Sequence, residues 1–355
     1  MRKTLLFVSL MVSLFAGALQ ADELSSLPPT RGRWPVGRVT LQVEREAVLL
    51  WYPADTTSCI GRYATRETAE KLSAVEGYYE QSPEQIRSWS EVGTSTCEGA
   101  PAKAQRFPLI ILLPGAGVYA LNYTAFAQEF ASQGFVVATV DYFSPGAPKR
   151  GYNEDDFAAT ESDMAHAAIE TIEYLAHDER WSAHVDMRKV YTMGHSIGGA
   201  AAIASARRGG RIRGVVDMDG APFGESLKGT VAPLLVLQSH PIYSDADLAK
   251  RGRTREYYEK LGEQARKQWA DIRTNSGGVY VEILSIAGTG HFSFSDAPFV
   301  MPTTITRFGG KIIDPLRGYT VITGCVREFL DETATRKPHP KLRLCKSFPE
   351  VSPSQ

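Results

Sequence analysis

Ser196 lies in Gly194-His195-Ser196-Ile197-Gly198, a G-x-S-x-G pattern whose chemistry would be nucleophilic attack by a serine hydroxyl. Context matters more than the five letters. The strand-like run 189–193 (KVYTM) enters the pattern as a buried strand, and 198–208 (GGAAAIASARR) leaves it as a helix of small residues. So sharp a strand-to-helix turn crowds the backbone, which is why the positions two residues either side of the serine are glycine. The helix N-terminus then directs positive dipole at the place where an oxyanion would form.

Serine is a weak nucleophile at its free pKa and needs a base. Where a nucleophile elbow carries a triad, the chain order is serine, acid, histidine. Of seven histidines, His166, His177, His184 and His195 precede Ser196, leaving His240, His291 and His339. His339 sits between two prolines, and His240 follows the strand 233–238 closely, nearer to where an acid is carried. His291 lies in AGTGHF after the last expected strand, where glycines let a loop turn an imidazole inward. It is the expected base. The acid stays open among Asp217 and Asp219 in VVDMDG and Asp245 and Asp247 in SHPIYSDAD, because spacing alone does not separate them. The oxyanion donors are expected to be two backbone N–H groups, that of Ile197 after the nucleophile and that of Ala116 in PGAG. Tyr119, Phe143, Phe223, Phe292 and Phe294 fall near loop ends that should converge there. Any of them could line an acyl pocket or serve as plain core.

The positioning elements follow from hydropathy. Segments 37–44 and 47–53 read as an antiparallel pair of strands; 107–113, 135–140, 189–193, 214–218, 233–238 and 278–286 read as further strands. FPLIILL at 107–113 is continuously apolar, as a strand covered on both faces must be. Helical patterns fall at 66–90, 119–133, 156–178, 198–208, 245–272 and 318–331. Strands alternating with helices give an α/β class with a mostly parallel central sheet and helices on both faces. One domain, 22–335, accommodates all of this, with an insertion at about 55–105 and a proline-rich tail at 336–355.

Arg2 and Lys3, an apolar run from Leu5 to Leu19 and then small residues before Asp22 have the order of a secretory signal peptide, expected at 1–21. No other long apolar segment occurs, so no membrane span is expected after processing, and the protein is expected to be secreted or periplasmic. Export favours disulfides. Four cysteines allow three connectivities; proximity in the chain favours Cys59–Cys97 and Cys325–Cys345. Their spacing suits no metal, and the chemistry needs no cofactor. A net charge of −1 writes no polyanion-seeking field, so no nucleic-acid partner is expected. The cluster Arg207, Arg208, Arg211 and Arg213 reads as a solvated helix end and loop.

PLIILLPGAG, FASQGFVVATVDY, GHSIGGA, RIRGVVDMDG and GTGHFSFSD together make the chain resemble the platelet-activating-factor acetylhydrolase group of α/β-hydrolases. It is more loosely similar to dienelactone-hydrolase-related esterases and polyester-hydrolase lipases. The resemblance covers three islands, roughly 107–143, 189–240 and 281–296. It implies the α/β-hydrolase fold and a serine esterase acting through an acyl-enzyme on short-acyl or lipid-like esters. In the acetylhydrolases the acid ends the strand after the elbow helix, which carries over to Asp219. Two departures bear on substrate: Pro114-Gly115 replaces the usual His-Gly of the oxyanion loop, and the insertion 59–97 has no counterpart motif. A polyester or cutin-type lipase is the nearest alternative. A catalytically silent binding protein on the same fold is the alternative of another class.

Overall fold

The computed structural model describes residues 26–56, 60–75, 81–143, 154–250, 252–301, 313–335 and 339–354. The expected leader and Cys59 lie outside them. Ten strands form one sheet, and in chain order they interleave with helices as the hydropathy suggested. The antiparallel pair β1 (Val36–Val43) and β2 (Glu46–Pro53) precedes a small two-stranded ribbon, β3 (Gly61–Arg62) with β4 (Gly93–Thr94). Then come β5 (Thr96–Glu98), β6 (Phe107–Leu113), β7 (Val136–Val140), β8 (Val185–His195) and β9 (Ile212–Met218). Last are β10 (Leu234–His240), β11 (Val281–Ala287) and β12 (Val351–Pro353). The order across the large sheet is β12-β11-β10-β9-β8-β6-β7-β2-β1-β5. From β7 through β6, β8, β9 and β10 to β11 every pairing is parallel.

The period of two explains the unbroken apolar runs. Ile110 and Leu112 of β6 enter one core with the helices Thr124–Ser132 and Pro315–Ala334. Leu109, Ile111 and Leu113 enter the other, with Glu154–His177, Ile197–Arg208 and Arg255–Asn275. Both faces of β6 are therefore buried, and no polar residue interrupts its run.

Four expectations change in detail. The pattern read as one helix at 66–90 gives two, Arg66–Ser73 and Pro83–Ser88, the second started by a capping box between Ser82 and Gln85 that exploits Pro83. The stretch 245–272 likewise divides into Asp245–Lys250 and Arg255–Asn275, with Thr254 capping the second. The strand expected at 278–286 is displaced to Val281–Ala287, because Gly277 and Gly278 hold positive φ and end the preceding turn. The segment 336–355 is more than a tail: it supplies the helix Arg343–Ser347 and β12, which pairs antiparallel with β11.

Cys325 and Cys345 form a disulfide that ties the helix Pro315–Ala334 to this closing segment. Cys97 is also disulfide-bonded. Closing a loop of this length restricts the unfolded chain by about 3 kcal/mol. Cys325→Ser with Cys345→Ser should therefore lower the unfolding free energy by about 2–4 kcal/mol in urea titration. A loss under about 1 kcal/mol would mean that packing alone holds β12 in place.

Candidate active site

Ser196 occupies the tight turn between β8 and the helix Ile197–Arg208 with φ 56° and ψ −126°, a conformation seldom adopted by residues other than glycine. The neighbouring glycines are steric necessities. A Cβ on Gly194 would strike the Gly198 carbonyl, and one on Gly198 would strike the carbonyls of Leu113 and Pro114 at the end of β6. The elbow is further held by the Ser196 N–H, which donates to the Met218 carbonyl at 3.0 Å, the last residue of β9.

Asp219 follows immediately and is one of three non-glycine residues with positive φ among the described residues, at 55°. This left-handed turn takes its carboxylate out of the strand's alternation. Oδ1 accepts the Ser239 N–H at 2.6 Å, and Oδ2 meets His291 Nδ1 at 2.7 Å. Burial raises the Asp219 pKa, but the His291 hydrogen bond and charge and the Ser239 donors outweigh it, so the net direction is down. The His291 side chain is 43 % exposed, leaving its outer edge open to solvent. Gly288 at φ 79° turns the chain into the loop that carries it, and the Gly288 N–H donates to the His240 carbonyl at 2.9 Å.

The other acid candidates lie elsewhere. Asp245 pairs with Arg255 at 2.6 Å and Asp247 accepts from Ser244, both on the exposed start of a helix. Asp217 is fully buried under the elbow, wedged where a Cβ on Gly199 or Gly220 would collide with its carboxyl. Oδ1 accepts the Gly220 N–H at 2.7 Å. Burial pushes its pKa from the usual 3.8 up to about 8, so it is held as the neutral acid.

The Ile197 N–H opens its helix and belongs to the first turn, whose donors lack intrahelical acceptors. Ala116 lies half-buried beside Gly115, and a Cβ on Gly115 would sit 3.3 Å from that of Ser196, so this loop rests directly on the elbow. Among the five aromatics, Tyr119 and Phe294 are core. Phe292 stands edge-on to His291 at 5.6 Å between ring centroids, while Phe223 packs on Phe157 and Phe143 on Tyr142. Among the described residues no cluster of His, Cys, Asp or Glu could hold a metal ion. Arg207 and Arg208 spend their guanidinium groups on Lys228, Gly229, Ser162 and Glu225.

Several supporting residues carry no local sequence signal, since their partners are distant in the chain. His195 is buried, with Nδ1 2.8 Å from the Tyr123 hydroxyl and Nε2 2.9 Å from the His291 carbonyl. Asp141, whose pKa burial raises to about 6, accepts the Ala120 N–H at the start of the turn bearing Tyr123. Asp296 gives a reason for the aspartate that closes GTGHFSFSD. Its carboxyl accepts the Ala125 N–H at 3.0 Å, capping the helix Thr124–Ser132 from outside, and its own N–H donates to the Asn122 carbonyl. Asn122 in turn donates to the Tyr63 hydroxyl, and Trp89 Nε1 to the Val300 carbonyl. Two residues of the cysteine-bracketed insertion thus brace the segment after His291.

A family model described as PET hydrolase-like matches residues 53–291, which include Ser196, Asp219 and His291. A platelet-activating factor acetylhydrolase from Gallus gallus is 24 % identical over 276 residues, 61 % of this chain and 60 % of that protein. A probable 1-alkyl-2-acetylglycerophosphocholine esterase from Arthroderma benhamiae is 25 % identical over 130 residues, 34 % of this chain and 33 % of that one. The chain thus spans less than two thirds of either relative's length. In structure, a ferulic acid esterase from Streptomyces cinnamoneus superposes with a TM-score of 0.71 at 22 % identity, covering 94 % of this chain and 100 % of that one. The fold is that of the α/β-hydrolases.

Asp217 yields a pH test. Its folded pKa lies above its unfolded one, so between about pH 4 and 8 the native state keeps a proton that the unfolded chain has released. The stability it contributes is full below about pH 4 and declines as pH rises, by about 1.4 kcal/mol per unit. Asp217→Asn, a neutral isostere, should remove this slope. Urea titrations at pH 5 and 7.5 should show the variant gaining on the wild type by several kcal/mol, whereas an unchanged difference would mean that Asp217 is ionised.

Proposed function

The chain belongs to the PET hydrolase-like family, and on that premise we propose an exported serine carboxylic-ester hydrolase with Ser196 as nucleophile, His291 as base and Asp219 as the orienting acid. The observation that carries the reading is the 2.7 Å hydrogen bond between His291 and Asp219, beside a serine held at φ 56° in its elbow. His291 Nε2 takes the Ser196 proton as Oγ attacks the ester carbonyl, and the N–H groups of Ile197 and Ala116 receive the oxyanion. The alcohol leaves with that proton. Water, deprotonated by the same imidazole, then releases the acid from the acyl-serine. Asp219 holds Nδ1–H toward itself, which leaves Nε2 the basic nitrogen, and stabilises the imidazolium.

The substrate class we favour is a short-acyl or lipid-like ester, on the strength of the two acetyl-ester relatives. The family's description favours a polyester as the second reading. An intact serine, aspartate and histidine following β8, β9 and β11 weighs against a silent binding protein. Export is supported by the leader's composition and by the Cys325–Cys345 disulfide. No helix among the described residues is long and apolar enough to cross a membrane.

Ser196→Ala should lower kcat on p-nitrophenyl esters by roughly 10⁴–10⁶-fold and abolish fluorophosphonate labelling. Asp219→Asn should cost about 10⁴-fold by presenting the wrong tautomer, while Asp245→Asn and Asp247→Asn turn over normally. Activity of Ser196→Ala within tenfold of the wild type would overturn the assignment. Assays on short-chain esters, an acetylated phospholipid and a polyester film separate the two substrate readings.

A further inference from the structure

His195 occupies the variable position before the nucleophile, where no reacting group is needed, yet it is fully buried and both ring nitrogens are engaged. The bonding chain has one consistent reading. The Gly115 N–H donates to the Tyr123 hydroxyl oxygen at 2.8 Å. The His291 carbonyl can only accept, so His195 Nε2 carries the ring proton toward it. A neutral ring then leaves Nδ1 as acceptor for the Tyr123 O–H. Burial and the neighbouring His291 charge keep the ring neutral, lowering its pKa to about 3.

Each end of this chain is a backbone group of the proposed catalytic machinery. Gly115 adjoins Ala116, whose N–H is the second oxyanion donor in that reading. The carbonyl at the other end belongs to His291 itself. A Cβ on Gly115 would lie 2.9 Å from His195 Nδ1, so the loop lies close against the imidazole as well as being linked to it through Tyr123. We propose that His195 is a positioning residue that locks the oxyanion loop and the base loop to the nucleophile elbow through the chain Gly115–Tyr123–His195–His291. This rests on the reading of Ser196 and His291 as the reacting pair. It assigns a function to the residue next to the nucleophile: one rigid ring sets the spacing between the group that receives the proton and the group that receives the negative charge.

Packing is the competing role, because His195 also stacks on Phe294 at 6.3 Å between centroids. Substitution separates the two. His195→Phe preserves a buried aromatic and removes both hydrogen bonds. His195→Gln reaches the Nε2 position with an amide donor and keeps the tether to the His291 carbonyl. Tyr123→Phe removes the link to Gly115 while leaving the His195–His291 bond.

Steady-state kinetics on a p-nitrophenyl ester and ¹⁵N-histidine NMR of the full protein test this. Displacement of reacting groups by about 1 Å costs roughly 10²-fold in rate. His195→Phe should lower kcat by about that factor with KM within about threefold, and should shift the Nδ1 resonance of His291. His195→Gln should restore kcat to within about tenfold of the wild type and return the resonance. Tyr123→Phe should slow fluorophosphonate labelling but leave the His291 resonance in place. The proposal is overturned if folded His195→Phe keeps kcat within threefold, if His195→Gln is no better than His195→Phe, or if the His291 resonance is the same in all variants. A wild type that hydrolyses no ester and takes no fluorophosphonate would instead refute the esterase reading, and the resonances would still report on the tether.

Discussion

Backbone crowding at the turn after β8 is the constraint on which the rest of the molecule depends. No Cβ fits at Gly194, Gly198 or Gly199, since each would meet the elbow's own carbonyls, the end of β6 or the Asp217 carboxyl. Close approach brings the β6 loop, the serine and the start of its helix together at one point. The strain of Ser196 at positive φ persists because two covered sheet faces surround it and leave the chain no other path. A surface turn would relax; this one is clamped between two cores.

Three aspartates near that point show how one side chain serves different ends. Asp217 faces one backbone N–H and Asp296 the neutral donors Ala125, Thr124 and Tyr63, yet burial outweighs them and pushes each carboxyl up to about 8, under the elbow and at a helix end. Asp219 is enclosed too, but an imidazole and a backbone N–H face it, and the balance favours the charge. The imidazole partner, rather than depth or the number of neutral donors, sets Asp219 apart.

What could be read in the sequence divides along contact distance. The parallel sheet was legible because strands covered on both faces are mostly apolar, and continuously so in 107–113. The elbow was legible because its glycines are steric and lie within five residues. Asp217 and Asp219 could not be separated by spacing, since alternation puts both on one face and only the left-handed turn at 219 redirects the second. The following Gly220 was the available signal. His195 and Asp296 were opaque because the partners of their side chains lie 72 to 171 residues away, and a histidine before the serine offers no triad order. The segment after 335 read as tail because prolines mask a three-residue strand, too short for any periodicity to register.

That short strand bears on how the sheet is completed. β12 lies after every other strand in the chain, and it covers the outer edge of β11, the strand that leads into the His291 loop. Without β12, that stretch of β11 would present an open row of N–H and C=O groups, a template for pairing with another molecule. The closing segment is thus an edge cover, supplied from beyond the last long helix, for the strand that carries the His291 loop.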